Sequence, residues 1–159
     1  MSYIALKDIL ISARQESHRM RHYYLGVEHI FVALLEVKGG IASSILESYG
    51  FQPSYVVDAI RRKVGKGGRH RLWAGTPNTP RTTIVLDIAH EIALEEERTT
   101  IHERDLLIAI LDEEDNIPTR VLTILGIDIE NLKAEVKTRQ SSNRDFHSFV
   151  NIDINPDTP

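Results

Sequence analysis

Apolar residues along this chain recur at helical spacing, and they do so in two matching series. Leu6, Ile9, Leu10 and Ala13 fall on one side of a helix, and so do Ile84, Val85, Ile88, Ala89 and Ile92. A different pattern follows each series. Residues 30–35 and 106–111 are apolar at every position, which fits either a buried strand or a buried helix. The polar starts Glu28-His29 and Arg104-Asp105, with the acidic stops Glu36 and Asp112, extend both runs to helical length and predict two central buried helices. Third helices are predicted over 41–48 and 117–124, ending at Gly50 and Gly126. Glycine just past the last apolar position suits a left-handed cap because it lacks the Cβ that penalises positive φ. Fourth helices follow near 53–64 and 129–139.

The two series are one unit written twice. A shift of 76 residues superposes Leu10 on Leu86, Ala13 on Ala89, Ala33 on Ala109, Leu35 on Leu111, Ile41 on Ile117, Leu46 on Leu122 and Gly50 on Gly126, with no gap. Identities at apolar and glycine positions are what a duplicated core retains while its surface drifts. The expected fold is all-α: a tandem, pseudo-twofold repeat of two four-helix units, about eight helices in all. A double-repeat domain is expected over 1–140, with copy one near 3–64, a linker at 65–79 and copy two near 80–139. Gly75, Pro77 and Pro80 break regular structure in the linker, and Thr79-Pro80 reads as an N-cap followed by a first-turn proline. Ser141-Ser142-Asn143 is loop-like. Beyond it Val150, Ile152 and Ile154 alternate with polar residues, so 141–159 is expected to be a flexible or strand-like tail.

Composition narrows the chemistry. Of the 159 residues, 42% are hydrophobic and 26% charged, enough for an ordinary core. The absence of cysteine removes disulfides, thiolate metal sites and a cysteine nucleophile. Charge appears early, at Lys7 and Asp8, and no stretch reaches the roughly 20 apolar residues of a membrane span. A soluble, cytoplasmic protein without membrane contact is expected. The net charge of −4 argues against general nucleic-acid binding. A basic run of Arg61, Arg62, Lys63, Lys66, Arg69 and Arg71 stands apart; it reads as a solvated, mobile linker, the alternative being a patch for nucleic acid or an acidic partner. His18 and His22 are four apart, but without a third ligand at motif spacing they read as a solvated helix end rather than a zinc site. No nucleophile elbow, paired-carboxylate or metal motif is present, so no catalytic residue, metal or cofactor is expected.

The stretch Leu25-Gly26-Val27-Glu28-His29-Ile30-Phe31-Val32-Ala33-Leu34-Leu35 resembles the Ile-Gly-Thr-Glu-His-Leu-Leu-Leu-Ala-Leu-Leu signature of Clp N-terminal repeats. Gly40-Ile41-Ala42 with Leu46 and Gly50, Thr79-Pro80-Arg81 and Gly65-Lys66-Gly67 are similar to further positions of that family, closest to its ClpC branch. The resemblance implies a non-catalytic domain that docks substrates or adaptors, some marked by arginine phosphorylation, for an AAA+ ATPase in cis or in trans. Gly65-Lys66-Gly67-Gly68 lacks the spacing of a phosphate-cradling loop, so ATPase activity is not expected of this chain. A regulatory module fused to, or acting on, an unrelated effector is the alternative.

The resemblance also implies a phosphoarginine pocket in each repeat, pairing a carboxylate at the start of the second helix with a hydroxyl at the start of the first. Such a carboxylate accepts two hydrogen bonds from a guanidinium, while a hydroxyl and a helix N-terminus receive the phosphoryl group. Copy one supplies Glu28 but has Tyr3 at the threonine position. Copy two supplies Thr79 but has Arg104 at the glutamate position. Each copy would then hold half a pair, with the first pocket functioning weakly through Glu28 and a displaced Tyr3 hydroxyl, and the second disabled because Arg104 repels a guanidinium. Without a ligand, Glu28 is explained by charge complementarity at a helix N-terminus, worth about 0.3–1 kcal/mol, and Thr79 by its capping role. His29 is a candidate for either ligand contact or capping at the helix junction.

Overall fold

A computed structural model of the chain describes residues 6–68, 75–113 and 115–142. Among the described residues eight helices run α1 (Leu6–Arg19), α2 (Val27–Leu35), α3 (Ile41–Ser48), α4 (Pro53–Val64), α5 (Pro80–Glu95), α6 (Glu103–Asp112), α7 (Ile117–Ile124) and α8 (Ile129–Ser142). The described residues contain no strand, so the fold is the all-α tandem repeat that the apolar pattern predicts. Starts of α2, α3 and α4 recur 76 positions later in α6, α7 and α8. Gly50 and Gly126 take φ of 91° and 92° behind α3 and α7, the left-handed conformation their capping role requires.

Packing obeys the same exchange. Helix α1 lies on α2 as α5 lies on α6, α4 meets α7 as α8 meets α3, and α2 touches α7 as α6 touches α3. Contacts that recur when the copies are swapped are those of a pseudo-twofold pair. Leu35 and Leu111 are accordingly buried alike. Helix α2 is buried along its whole length, and α6 from Glu103 to Leu111, which settles the choice between strand and helix for these apolar runs.

Charged residues stitch the units together. Glu103, at the start of α6, is buried and accepts the Ala42 amide at 3.3 Å, so the second repeat caps α3 of the first. Burial pushes the Glu103 carboxyl up, and amide hydrogen bonds from Ile41 and Ala42 pull against that rise. A Cβ at Gly40 would lie 2.8 Å from Glu103 Oε2, so glycine there makes room for the cap. In copy two Asn116 holds the same position and caps α7 itself, accepting the Thr119 amide at 2.9 Å.

Several details depart from the sequence expectations. Ile84 is 48% exposed, because the buried stripe of α5 is Thr82, Val85, Ala89 and Ala93, and Ile84 lies about 100° off it. Ser141 and Ser142 belong to α8 and are not loop. The expected strand pattern at 150–154 lies outside the described residues, as do Arg69 and Arg71. Arg61 is not a solvated member of the basic run: in the last turn of α4 it reaches Glu16 of α1 with two hydrogen bonds of 2.9 and 2.8 Å. Glu16 is only 2% exposed. Burial pushes its carboxyl up, but the Arg61 hydrogen bond and the charges of Arg61 and Arg19 outweigh burial and hold it below the ordinary value.

The linker is also anchored where it is described. Gly67 donates to the Met20 carbonyl at 2.8 Å, Leu25 donates to Pro77 at 2.8 Å, and Thr79 donates to Leu25 at 3.0 Å. These bonds run the two ends of the linker as a strap along the loop between α1 and α2, which corrects the expectation of a mobile segment for those residues.

Two measurements check this account. Arg61→Ala strands a buried carboxylate and is expected to lower stability by about 2–4 kcal/mol at pH 7. Because the Glu16 contribution exists above pH 4.5 and fades as pH falls through its depressed folded value, the gap between the two proteins should narrow below pH 4.5 in chemical denaturation; a constant gap contradicts the assignment. In hydrogen exchange the amides of Leu25, Gly67 and Thr79 should be protected like helical amides. Exchange at unstructured rates rejects the anchored strap.

Candidate functional site at the junction of the repeats

The loop between α1 and α2 is shaped by two residues in the left-handed region, Arg21 and Tyr23, each at φ 60°. A non-glycine residue costs roughly 1–2 kcal/mol there, so the surroundings must hold the turn. They do so through side chains. Ser17 donates to the Tyr24 carbonyl at 2.6 Å. The rings of His22 and Tyr24 stack at 5.4 Å, and both rings lie against His29, at 4.9 and 5.3 Å.

Leu25, fully buried, ties this loop to the strap with both of its backbone groups. Its amide donates to Pro77, and its carbonyl accepts the Thr79 amide and the Thr82 hydroxyl, the latter at 2.8 Å. The α2 and α5 N-termini are thereby held side by side. Between them lies a depression of about 660 Å³, whose walls include Tyr24, Glu28, Thr79, Arg81, Asn116 and Arg120.

Glu28 stands in the first turn of α2 and is 9% exposed. Its carboxylate folds over Gly26: a Cβ there would sit 2.7–2.8 Å from the carboxylate atoms. Glycine is therefore required for this placement. The Tyr24 hydroxyl donates to Glu28 Oε2 over a long 3.5 Å, and burial followed by the Glu28 charge pushes the Tyr24 phenol up. Thr79 caps α5 as expected, accepting the Thr82 amide at 3.1 Å and donating its hydroxyl to Thr82 Oγ1 at 2.9 Å. Arg81 pairs with Glu113 at 2.8 Å and Arg120 with Asp115 at 2.7 Å on the rim.

Glu28 and Thr79 thus share one depression, although they come from different copies. For copy two, the expectation that a repeat pairs its own two helix starts is corrected by the hairpin geometry. Helices α5 and α6 pack as neighbours joined by a short loop, and the start of α6 lies against the end of α5: Arg104 is ion-paired with Glu96. Thr79 caps the other end of α5, about 24 Å away for 16 residues. Arg104 is 6% exposed, and it also lies 3.4 Å from Asp105, which Arg98 grips with bonds of 2.7 and 2.9 Å. Burial pushes the Glu96 carboxyl up, but Arg98 and Arg104 together hold it below the ordinary value. Tyr3 lies outside the described residues.

His29 does not face the depression. It is buried behind the start of α2, where Nδ1 accepts the Gly26 amide at 2.9 Å and Nε2 meets His22 Nδ1 at 2.6 Å. Burial first, and then the His22 charge, lower its pKa to about 4 against a smaller opposing effect of Glu16. His22 is not on α1, which ends at Arg19; it is half-buried and bonds the Gly65 carbonyl at 2.7 Å. The reading of His18 and His22 as one solvated helix end therefore fails for His22. Sequence spacing hid this contact, because a left-handed turn and not a helical step brings His22 to His29.

A profile of the Clp repeat (R) N-terminal domain matches residues 5–80 and 77–144. The probable ATP-dependent Clp protease ATP-binding subunit of Chlamydia pneumoniae is 28% identical over 130 residues, 82% of this chain and 15% of that protein. The ATP-dependent Clp protease ATP-binding subunit ClpC of Staphylococcus aureus is 26% identical over 129 residues, 80% and 15%. The chain thus spans about 15% of the length of these curated relatives. Among solved structures, the Hsp104 N-terminal domain of Candida albicans superposes with a TM-score of 0.71 at 13% identity, covering 84% of this chain and 87% of that one. The N-terminal domain of the ClpD chaperone of Arabidopsis thaliana gives 0.64 at 17% identity, covering 84% and 90%. With its two copies matched in tandem across residues 5–144, the chain belongs to the Clp repeat N-terminal domain family.

Proposed function

We propose that this chain is a protein-docking domain that presents substrates or adaptors to a Clp-type AAA+ unfoldase, in cis or in trans, in the cytoplasm and without turnover of its own. The observation that carries this reading is the meeting of Glu28 and Thr79 in one depression at the junction of the repeats. Its ligand is an arginine-phosphorylated segment. The Glu28 carboxylate accepts the guanidinium hydrogens, and the phosphoryl group lies toward the α5 N-terminus, where Thr79 turns its hydroxyl from Thr82 to the ligand. Arg81 and Arg120, half-exposed on the rim, exchange Glu113 and Asp115 for the phosphoryl oxygens.

A single site per chain follows from the pairing across the repeats. The ion pairs around Arg104 occupy the start of α6, so that end supplies no free carboxylate. The basic run offers a poorer site than it does on paper, because Arg61 is engaged by Glu16.

Calorimetry with phosphoarginine should give one site per chain. Glu28→Ala is expected to weaken binding by about 10- to 100-fold, the range for hydrogen bonds to charged groups, and unchanged affinity rejects the site. Arg104→Glu should leave the stoichiometry at one while lowering the melting temperature, since it sets a third carboxylate beside Glu96 and Asp105; a second site appearing in that variant would contradict the pairing across the repeats. The chain alone should release no phosphate from ATP. Its Gly67 amide is spent on the Met20 carbonyl, not free to cradle a phosphate, and turnover at an enzyme-like rate would overturn the non-catalytic assignment.

A further inference from the structure

Buried His29 and half-buried His22, behind Glu28, form a chain in which every proton position is determined. The Gly26 amide can only donate, so His29 Nδ1 is an acceptor and carries no hydrogen. A neutral His29 then bears its hydrogen on Nε2 and donates it to His22 Nδ1. That leaves the hydrogen of His22 on Nε2, where the Gly65 carbonyl accepts it. Four ring nitrogens thus hold two hydrogens, and each nitrogen has one partner. A third proton has no place: on His22 Nδ1 it would point at the Nε2 hydrogen of His29 across 2.6 Å, and on His29 Nδ1 it would expel the Gly26 amide.

What the chain fixes matters for the depression. At one end is Gly26, the residue over which the Glu28 carboxylate lies, and at the other is Gly65, where the strap leaves α4. Tyr24 stacks on His22 and touches His29, while its hydroxyl reaches Glu28. We propose that His29 and His22 are positioning residues for Glu28: as a two-proton hydrogen-bond chain they lock Gly26, and through it the Glu28 carboxylate, to the inter-repeat strap. The part played by Glu28 in binding rests on the function proposed above, but the proton arrangement does not. Copy two supports the assignment, because the positions 76 residues on are Arg98 and Asp105. These are joined by a bidentate ion pair, and Asp105 accepts the His102 amide at 2.8 Å as His29 accepts that of Gly26. The same lock is built with full charges there and with neutral rings here.

Among the described residues, Glu16 of α1 acts on His29 by its charge and is itself paired with Arg19 and with Arg61 of α4, while Tyr24 of the loop lies against both rings with Glu28 of α2 at its hydroxyl. Burial and the mutual repulsion of the two rings keep His29 neutral down to about pH 4, whereas an unfolded histidine charges near 6.5. The folded form takes up fewer protons between those values, so the lock weakens as pH falls from 6.5 toward 4.

Nitrogen-resolved NMR of the full chain at pH 7.5 tests the arrangement directly, with both rings expected as neutral Nε2–H tautomers. A charged ring or an Nδ1–H tautomer overturns it. Glutamine at position 29 offers an acceptor and a donor without titrating, as in a capping box. Phosphoarginine binding should fall about tenfold in His29→Leu and be restored to within about threefold of the unmodified protein in His29→Gln. It should also decline more steeply from pH 6.5 to 4 in the unmodified protein than in His29→Gln. Equal pH profiles, or full affinity in His29→Leu, reject the positioning role. Should His29→Leu fail to fold, the tautomers and the His29→Gln profile still decide. If no form of the protein binds phosphoarginine, the ligand assignment fails, and the lock is then judged by exchange of the Gly26 amide. That amide should stay protected at pH 4 in His29→Gln and lose protection in the unmodified protein, and identical protection in both would refute the lock.

Discussion

Burial of α2 and α6 on every side is the constraint on which the rest of this structure depends. A helix leaves its first amides without intrahelical partners, and at the surface water satisfies them. Here the helix starts lie inside the protein, where an unmet donor costs about 1–3 kcal/mol. Each start therefore recruits side chains, and those side chains need partners of their own. His29 accepts the Gly26 amide, Asp105 accepts the His102 amide, and Glu103 turns outward from α6 to cap α3. The polar residues among the apolar runs are consequences of burying the runs.

The two copies meet this demand with different chemistry. In copy two, Asp105 is a fully buried charge that Arg98 neutralises, and Arg104 and Glu96 extend the network. In copy one a neutral histidine takes the place of the aspartate and a second histidine that of the arginine. A neutral pair avoids the desolvation of two ions, and among the described residues Glu28 beside it has no ion-pair partner. That difference separates a helix start closed by ion pairs from one with a carboxylate still able to accept a guanidinium.

Much of the fold was legible in the pattern of apolar positions. The 76-residue offset located the starts of the second, third and fourth helices of each copy, since cap positions and core positions shift together in a duplication. The site was legible only residue by residue. Glu28 and Thr79 stand out in the sequence, but no local signal says that they meet, because a helical hairpin separates its own two helix starts by the length of a helix and apposes starts from opposite copies. Arg61 and His22 misled for a related reason. Their partners, Glu16 and His29, are reached by packing across helices or through a left-handed turn, neither of which leaves a periodic trace. Gly26 was visible as part of a motif, but its need became clear only once the Glu28 carboxylate was seen to occupy the space of its missing Cβ.

The apposition of α2 and α5 rests on backbone groups more than on side chains. Leu25 binds Pro77 and Thr79 through its amide and carbonyl, so the identity of its side chain can vary without loosening the link, provided that it stays buried. Side chains enter at the edges of the contact, where the Thr82 hydroxyl adds a third bond to Leu25 and where Glu28 and Thr79 face the depression. A junction held in this way keeps its geometry while the residues lining it change. The junction of α2 with α5 can therefore carry a carboxylate and a hydroxyl while the start of α6 carries a closed ion network, without any change in how the copies pack.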